Sequence, residues 1–179
     1  NSVTTAVEML RRLRPFNAAR KLEGFQSIDI GIGIDTGPVI AGTIGSSRRM
    51  DYTVIGEHVN RASRIEGVNK IYGTHILVSE HTHEKLMKEH ITRESELVRV
   101  SGVDLPVRIF EILDYHTEES FPHMEKVIEV FAEGLDAYRN QHWRGAAAAF
   151  AEGLKLNPND RPTQIFLSRC WNYMARLPD

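Results

Sequence analysis

Asn60 and Arg64 are the side chains best suited to chemistry in this sequence, and they stand four residues apart in the run 50–67. A short β-type segment at 52–55 precedes them, and Gly56 supplies a turn before the helix that they would share. Residues four apart on a helix project from one face, so the amide and the guanidinium can converge on one ligand. An amide beside a forked cation suits a ribose next to a phosphate. The alternative is that both are solvated polar positions of an amphipathic helix.

Three ordered blocks of the sequence resemble the class III nucleotidyl cyclases, which convert ATP or GTP into the cyclic 3′,5′-monophosphate and pyrophosphate. The blocks are GIGIDTGPVIAGTIGS at 31–46, MDYTVIGEHVNRASR at 50–64 and VRIFEIL at 107–113. Three blocks in the right order are far more specific than one short motif. The resemblance therefore favours a functional role for the helix pair over the solvated-surface alternative.

The resemblance implies roles for three residues. In the family, the asparagine matching Asn60 positions the ribose, and the arginine matching Arg64 stabilises the phosphate under attack. Thr53 falls where these enzymes contact the purine, and threonine or aspartate there accompanies ATP use, whereas guanylyl cyclases usually carry cysteine. The prediction is an adenylyl cyclase that converts ATP to 3′,5′-cyclic AMP and pyrophosphate.

The resemblance also implies a partner and a metal. In the family the active site lies between two subunits, one supplying the metal face and the other the Asn/Arg face, so a homodimer is expected. The family's two metal-binding aspartates and its purine-reading lysine precede the helix with which this chain begins. We therefore expect the Mg²⁺ or Mn²⁺ ligands in a missing N-terminal half and assign no metal ligand here, placing Asp29 and Asp35 on a hairpin. On this interpretation the chain is a fragment with little or no activity by itself.

The turn before the last predicted strand departs from the family, which often has Lys-Gly-Lys there with a lysine touching the triphosphate. The matching residues here are Ser101, Gly102 and Val103, so a cation is lost. The cations that could compensate are Arg48, Arg49 and Arg99, with plain surface charge as the alternative. The loss supports a competing hypothesis, a non-catalytic cyclase-like module for dimerisation or regulation with a protein-interaction tail.

Composition restricts the possible partners and locations. The 179 residues are 41% hydrophobic and 26% charged, with a net charge of −2, which gives no general attraction to nucleic acid or anionic lipid. No apolar run reaches membrane-spanning length and no signal-peptide pattern is present, so no membrane contact is expected. Cys170 is the single cysteine, which excludes an intrachain disulfide and fits a reducing compartment. The predicted location is the cytoplasm.

The pattern of elements predicts an α+β fold, and the resemblance implies an incomplete, ferredoxin-like class III cyclase fold. A helix over 3–13 ends or kinks at Pro15, and the segments 27–37 and 37–45 form an antiparallel hairpin. Glycines within a strand predict close approach of a ligand or a neighbouring helix. The spacing of these glycines fits neither of the two nucleotide-binding loop motifs. A helix over about 57–71, the strand HILVSE, a second helix over 79–90 capped by Ser79 and two final strands follow.

Three histidines lie near the second helix without an HExxH pattern, so they are expected at the surface rather than on a metal. They are His81, His83 and His90.

The predicted domains are the cyclase part at 1–115, a linker at 116–122 and a helical tail at 123–179. The tail resembles a tetratricopeptide repeat, with Gly134, Ala146, Phe150 and Pro158 at motif positions. One alternative is a cap or self-association element, and the other is a groove for a peptide or regulatory domain. The cap interpretation places four aromatic residues in its core: Trp143, Phe150, Phe166 and Trp171.

Overall fold

The computed structural model describes residues 2–46, 49–86, 90–98 and 107–175, and it divides the chain into two compact units. Unit 1 comprises Asn1–Ile71 and His75–Tyr115, and unit 2 comprises Tyr72–Thr74 and His116–Asp179. The elements in chain order are α1 Ser2–Leu22, β1 Ile32–Ile34, β2 Ile40–Ser46, β3 Arg49–Ile55, α2 Glu57–Tyr72, β4 Ile76–Ser79, α3 Glu80–Glu84, β5 Thr92–Val98, β6 Val107–Ile112, α4 Met124–Arg139, α5 Trp143–Leu156 and α6 Arg161–Met174.

Unit 1 contains two sheets. The larger has the strand order β1-β4-β6-β5, with β1 parallel to β4 and the other neighbours antiparallel. The smaller is the antiparallel ribbon of β2 and β3. The α+β class is confirmed. The residues of the altered turn, 101–103, lie outside the described residues together with Arg48, Arg99 and the side chain of Arg49, so the proposed compensation stays a prediction.

The predicted hairpin between 27–37 and 37–45 is wrong. β1 covers only Ile32–Ile34 and pairs in parallel with β4, whereas β2 pairs with β3. Alternating isoleucines indicate a strand with one buried face, and Ile32 and Ile34 do pack against the core. Alternation does not specify which strand lies alongside, because any neighbour in the correct register buries the same face.

The core of unit 1 forms where α1 covers one face of the larger sheet. Val3, Ala6, Val7 and Leu10 are buried, at the spacing of one helical stripe. They pack on the sheet with residues from β4, β6 and the segment after β6: Ile76, Val78, Phe110, Ile112 and Tyr115.

Helix α1 continues through Pro15 to Leu22, so of the two effects predicted for this proline the end of the helix is wrong, and the kink stays a prediction. Proline removes one backbone hydrogen bond, but side chains beyond it anchor the helix to the following segment. The Asn17 amide donates to the carbonyl of Ile28 (2.7 Å) and accepts from its N–H (2.8 Å). The Arg20 Nε donates to the carbonyl of Gln26 (3.0 Å).

The helix predicted over 79–90 is too long, because α3 ends at Glu84. The three histidines near it differ in their surroundings. His81 is exposed, as predicted, whereas His83 and His90 are half-buried. The His83 ring stacks on Phe110 with the centroids 3.8 Å apart, and the His90 Nδ1 lies 3.4 Å from the Asp114 carboxylate. Sequence spacing showed no metal motif but could not show this packing.

Unit 2 contains α4, α5 and α6, which share a core of aromatic rings. The rings of Phe131, Phe150 and Phe166 contact one another, with centroids 5.5–5.6 Å apart. Trp143 is half-buried and stacks on Tyr173 at 4.5 Å. Trp171 is 58% exposed, so its predicted place in the core is wrong. The buried stripe of α6 runs through Thr163, Phe166, Leu167 and Cys170, and the next residue in sequence points away from it.

None of the described helices has the combination of length and apolar character that crossing a bilayer requires.

Candidate active site

The turn at Gly56 joins β3 to α2 and sets the start of the helix that carries the predicted pair. Gly56 has φ +152°, a conformation that residues with a side chain rarely adopt. The first helical hydrogen bond follows at once, from the N–H of Asn60 to the carbonyl of Gly56 (3.2 Å). The strand, turn and helix predicted for 52–71 are thus confirmed.

Asn60 and Arg64 lie one turn apart on the exposed face of α2. Within the described ranges, neither side chain has a hydrogen-bond or ion-pair partner. An amide and a guanidinium held next to each other and facing solvent have their hydrogen-bonding groups available to a ligand.

Thr53 lies in β3, opposite Gly42 of β2, and its side chain is exposed. The structure thus places the predicted purine contact on the ribbon and the predicted ribose and phosphate contacts on the helix that follows it.

The inner face of α2 rests on three glycines of the segment around β1. A Cβ added at Gly33 would come within 2.3 Å of both the Ala62 carbonyl oxygen and the Glu66 nitrogen. A Cβ at Gly31 would lie 3.0–3.2 Å from the side chains of Glu66 and Asn69, and one at Gly37 would lie 2.0 Å from the His58 ring. The element predicted to approach this glycine-rich stretch is therefore α2. Because the three glycines have no side chains, the helix can pack closely against the backbone of this segment.

A polar cluster that sequence analysis missed connects β1 to the first turn of α2. The Asp35 side chain is completely buried, and its Oδ2 lies 2.8 Å from the His58 Nδ1 and 3.6 Å from the Arg61 Nε. Its Oδ1 accepts a hydrogen bond from the Ser79 hydroxyl at 2.5 Å. The sequence offered one signal, a carboxylate directly after an apolar strand, which indicates a buried charge that needs partners.

Asp29 belongs to a separate chain of contacts. The His75 Nε2 lies 3.1 Å from the Asp29 carboxylate, and its Nδ1 lies 3.1 Å from the Tyr115 hydroxyl. Burial, the largest cause, raises the pKa of the Tyr115 hydroxyl well above its usual range, so the phenol stays protonated. The imidazole of His75 therefore lies between the Asp29 carboxylate and a neutral phenol.

In the part of the chain that the structure describes, no three His, Cys, Asp or Glu side chains form a group able to hold a metal ion. Asp35 and Asp29 each contact the partners given above.

Comparisons with known proteins found a family, related sequences and similar folds. The model of the family described as adenylate and guanylate cyclase catalytic domain matches residues 1–113. The adenylate cyclase, terminal-differentiation specific, of Dictyostelium discoideum is 33% identical over 175 residues, which are 95% of this chain and 8% of that protein.

Two solved structures have similar folds. The adenylyl cyclase CyaB from P. aeruginosa has a TM-score of 0.55 and 29% identity, over 62% of this chain and 56% of that one. The guanylyl cyclase Cya2 has a TM-score of 0.55 and 36% identity, over 62% of this chain and 55% of that one. The chain spans less than two thirds of each of these proteins. With its family model matched over 1–113 and its fold shared with solved cyclases, this chain belongs to the adenylate and guanylate cyclase catalytic-domain family.

Proposed function

We propose that this chain supplies the ribose- and phosphate-binding face of an adenylyl cyclase that converts ATP to 3′,5′-cyclic AMP and pyrophosphate. The observation that carries the proposal is the exposed pair on α2, Asn60 and Arg64, whose polar groups have no partner among the described residues. In a member of the cyclase family, such a pair matches the requirements of a ribose beside a phosphate.

The reaction is an in-line displacement at the α-phosphorus. The ATP 3′-oxygen loses its proton and forms a bond to the α-phosphorus, while the bond from that phosphorus to the bridging oxygen breaks and pyrophosphate leaves. Asn60 orients the ribose so that the 3′-oxygen faces the phosphorus. Arg64 stabilises the negative charge that grows on the phosphate oxygens in the transition state. Thr53 contacts adenine.

Class III cyclases are metal-dependent, and the ion here would be Mg²⁺ or Mn²⁺. Because the described residues do not form a cation site, we assign the ions to protein groups outside this set and derive no step through them.

The β2–β3 ribbon supports the proposal that a second subunit completes the site. An isolated two-stranded hairpin is marginally stable, and this one exposes apolar side chains on both faces. Ile40 and Ile55 are paired on one face and are 67% and 47% exposed, while Tyr52 on the other face is 78% exposed. A homodimer would bury these side chains around Thr53, which lies on the same ribbon.

Unit 2 supports a tetratricopeptide-like role for the tail. A Cβ on Gly134 would lie 2.7 Å from the Phe150 ring, so glycine at this position lets α4 and α5 pack closely. We propose that the tail acts as a cap or self-association element. The alternative is that it forms a groove that binds a peptide or a regulatory domain. The cytoplasm remains the proposed location.

The test is cyclic nucleotide production from ATP and from GTP, with Mg²⁺ or Mn²⁺, by the full-length gene product. An Arg64→Ala variant should lose on the order of 10²-fold or more in kcat, because one transition-state contact is removed. Lys70→Ala is the matched control, since it removes another exposed cation from the same helix. A well-folded dimer that makes no product would overturn the proposed cyclase activity and favour a regulatory, non-catalytic module.

A further inference from the structure

We infer that Asp35 and His58 form a positioning pair that fixes the first turn of α2 and thereby places Asn60 and Arg64 against the substrate. This inference rests on the proposed function, and it adds two residues that had no predicted role in the site. His58 lies two residues before Asn60, on the inner face of the helix, whereas Asn60 lies on the outer face.

The carboxylate of Asp35 joins three elements of unit 1. It follows β1, its Oδ2 accepts from the His58 Nδ1 in α2 at 2.8 Å, and its Oδ1 accepts from the Ser79 hydroxyl at the end of β4 at 2.5 Å. Ser79 is itself held, because its hydroxyl oxygen accepts the N–H of Thr82 at 3.2 Å as the cap of α3. Since the carboxylate is anchored to the sheet, the position of the imidazole relative to the sheet is defined.

Gly37 restrains the imidazole from a second direction. A Cβ at position 37 would lie 2.0 Å from the His58 Nε2 and 2.1 Å from Cε1, so the ring occupies the space that a side chain there would need. The ring is therefore held by a hydrogen bond at Nδ1 and by backbone contact near Nε2. A side chain held in two directions limits both the rotation of the helix and its depth.

The neighbouring contacts lie on the same side of the helix. The Arg61 Nε is 3.6 Å from Asp35, and its guanidinium also pairs with Glu57. The Ala62 backbone contacts the Gly33 position one turn further on. Because a helix moves as a rigid element over one or two turns, a shift of this inner face would displace the outer pair by a similar distance. A displacement of about 1 Å at reacting groups can lower the rate by about 10²-fold.

The first experiment measures kcat and KM for ATP with three variants of the full-length gene product: His58→Ala, His58→Asn and His81→Ala. Removing the imidazole should lower kcat by about 10- to 100-fold with a smaller change in KM, because the transition-state contacts depend most on geometry. Asparagine places an N–H donor near the position of Nδ1 and should restore most of the rate. His81 is exposed, so its variant should match the wild type.

The second experiment tests the contact with Gly37 and remains informative if His58→Ala does not fold. Gly37→Ala should lower kcat in the wild-type background, because the new methyl group collides with the imidazole. In a His58→Ser background the same change should cost little, because serine has none of the three ring atoms, Nε2, Cε1 and Cδ2, that the methyl group would meet. Melting temperatures of all variants show whether a change in rate accompanies a general loss of folding.

Each outcome is decisive. Wild-type kcat in a folded His58→Ala variant, with Arg64→Ala inactive, would overturn the positioning pair and leave the proposed function intact. Equal losses from Gly37→Ala in both backgrounds would also overturn it. An inactive wild type would overturn the proposed function and the pair together.

Discussion

Arg93 of β5 and Glu111 of β6 form a buried ion pair directly across the sheet, with the guanidinium Nε and Nη2 donating to the same carboxylate oxygen at 3.1 and 2.6 Å. Both residues are almost completely buried. A buried ion pair contributes little compared with a well-packed apolar pair, but a buried charge that has lost its partner is costly.

We expect Arg93→Met to lower the free energy of unfolding by about 3–5 kcal/mol, because the Glu111 charge loses this cation. The double variant Arg93→Met, Glu111→Leu should recover most of that loss, since no ionised group is then left at the pair. Urea unfolding followed by circular dichroism measures both. A double variant that is no more stable than Arg93→Met alone would contradict the prediction.

Gly33→Ala should destabilise unit 1 by about 1–3 kcal/mol, because the added methyl group must displace the backbone of α2. Gly67→Ala in the same helix is the matched control, since a Cβ there meets nothing within 4 Å. The control should stabilise the helix by about 0.5–1 kcal/mol, the usual gain when alanine replaces glycine in a helix interior. If both variants shift the urea midpoint in the same direction, the contact at Gly33 does not determine helix depth.

Thr53→Cys should shift substrate preference from ATP towards GTP, because cysteine at this position accompanies guanylyl cyclase activity in the family. We expect the ratio of kcat/KM for ATP over GTP to fall by about 10-fold, the effect of one altered pocket contact. Thr43→Cys changes another exposed threonine of the ribbon, on the opposite face from Thr53, and should leave the ratio unchanged. An equal ratio in the wild type and Thr53→Cys would remove Thr53 from the purine contact.

Cys170 should react slowly with iodoacetamide in the folded chain. Burial raises the pKa of its thiol to about 11 from 9.0, so at pH 8 the thiolate fraction falls by about 100-fold relative to an unfolded chain. The labelling rate at pH 8 should rise by at least that factor in urea. Because the folded pKa is the higher one, the thiol's contribution to stability is complete below pH 9 and is lost as the pH rises towards 11. Rapid labelling of the native chain at pH 8 would refute the buried environment.

Local sequence signals predicted the elements around the site well. Gly56, the helix that starts at Glu57 and the cap at Ser79 all lie where the sequence placed them. Turn glycines and helix caps act within a few residues, so their effects are visible in the sequence itself.

Long-range pairing was not predictable in the same way. The partner of β1 is β4, more than forty residues away in the chain, and the partners of Asp35 come from α2 and the end of β4. The sequence shows that Ile32 and Ile34 need a buried face and that a buried carboxylate needs donors. It does not show which distant residue meets the need, because several strands and several donors satisfy the same local requirement.

The glycines under α2 also restrict how this domain can evolve. At Gly33 even the smallest side chain collides with helix backbone, and at Gly37 it collides with the His58 ring. A mutation at Gly33 has no single compensating neighbour, because backbone atoms cannot be made smaller, whereas a mutation at Gly37 can be accommodated by a smaller residue at position 58. Over evolutionary time, position 33 should therefore stay fixed, while positions 37 and 58 should change as a pair.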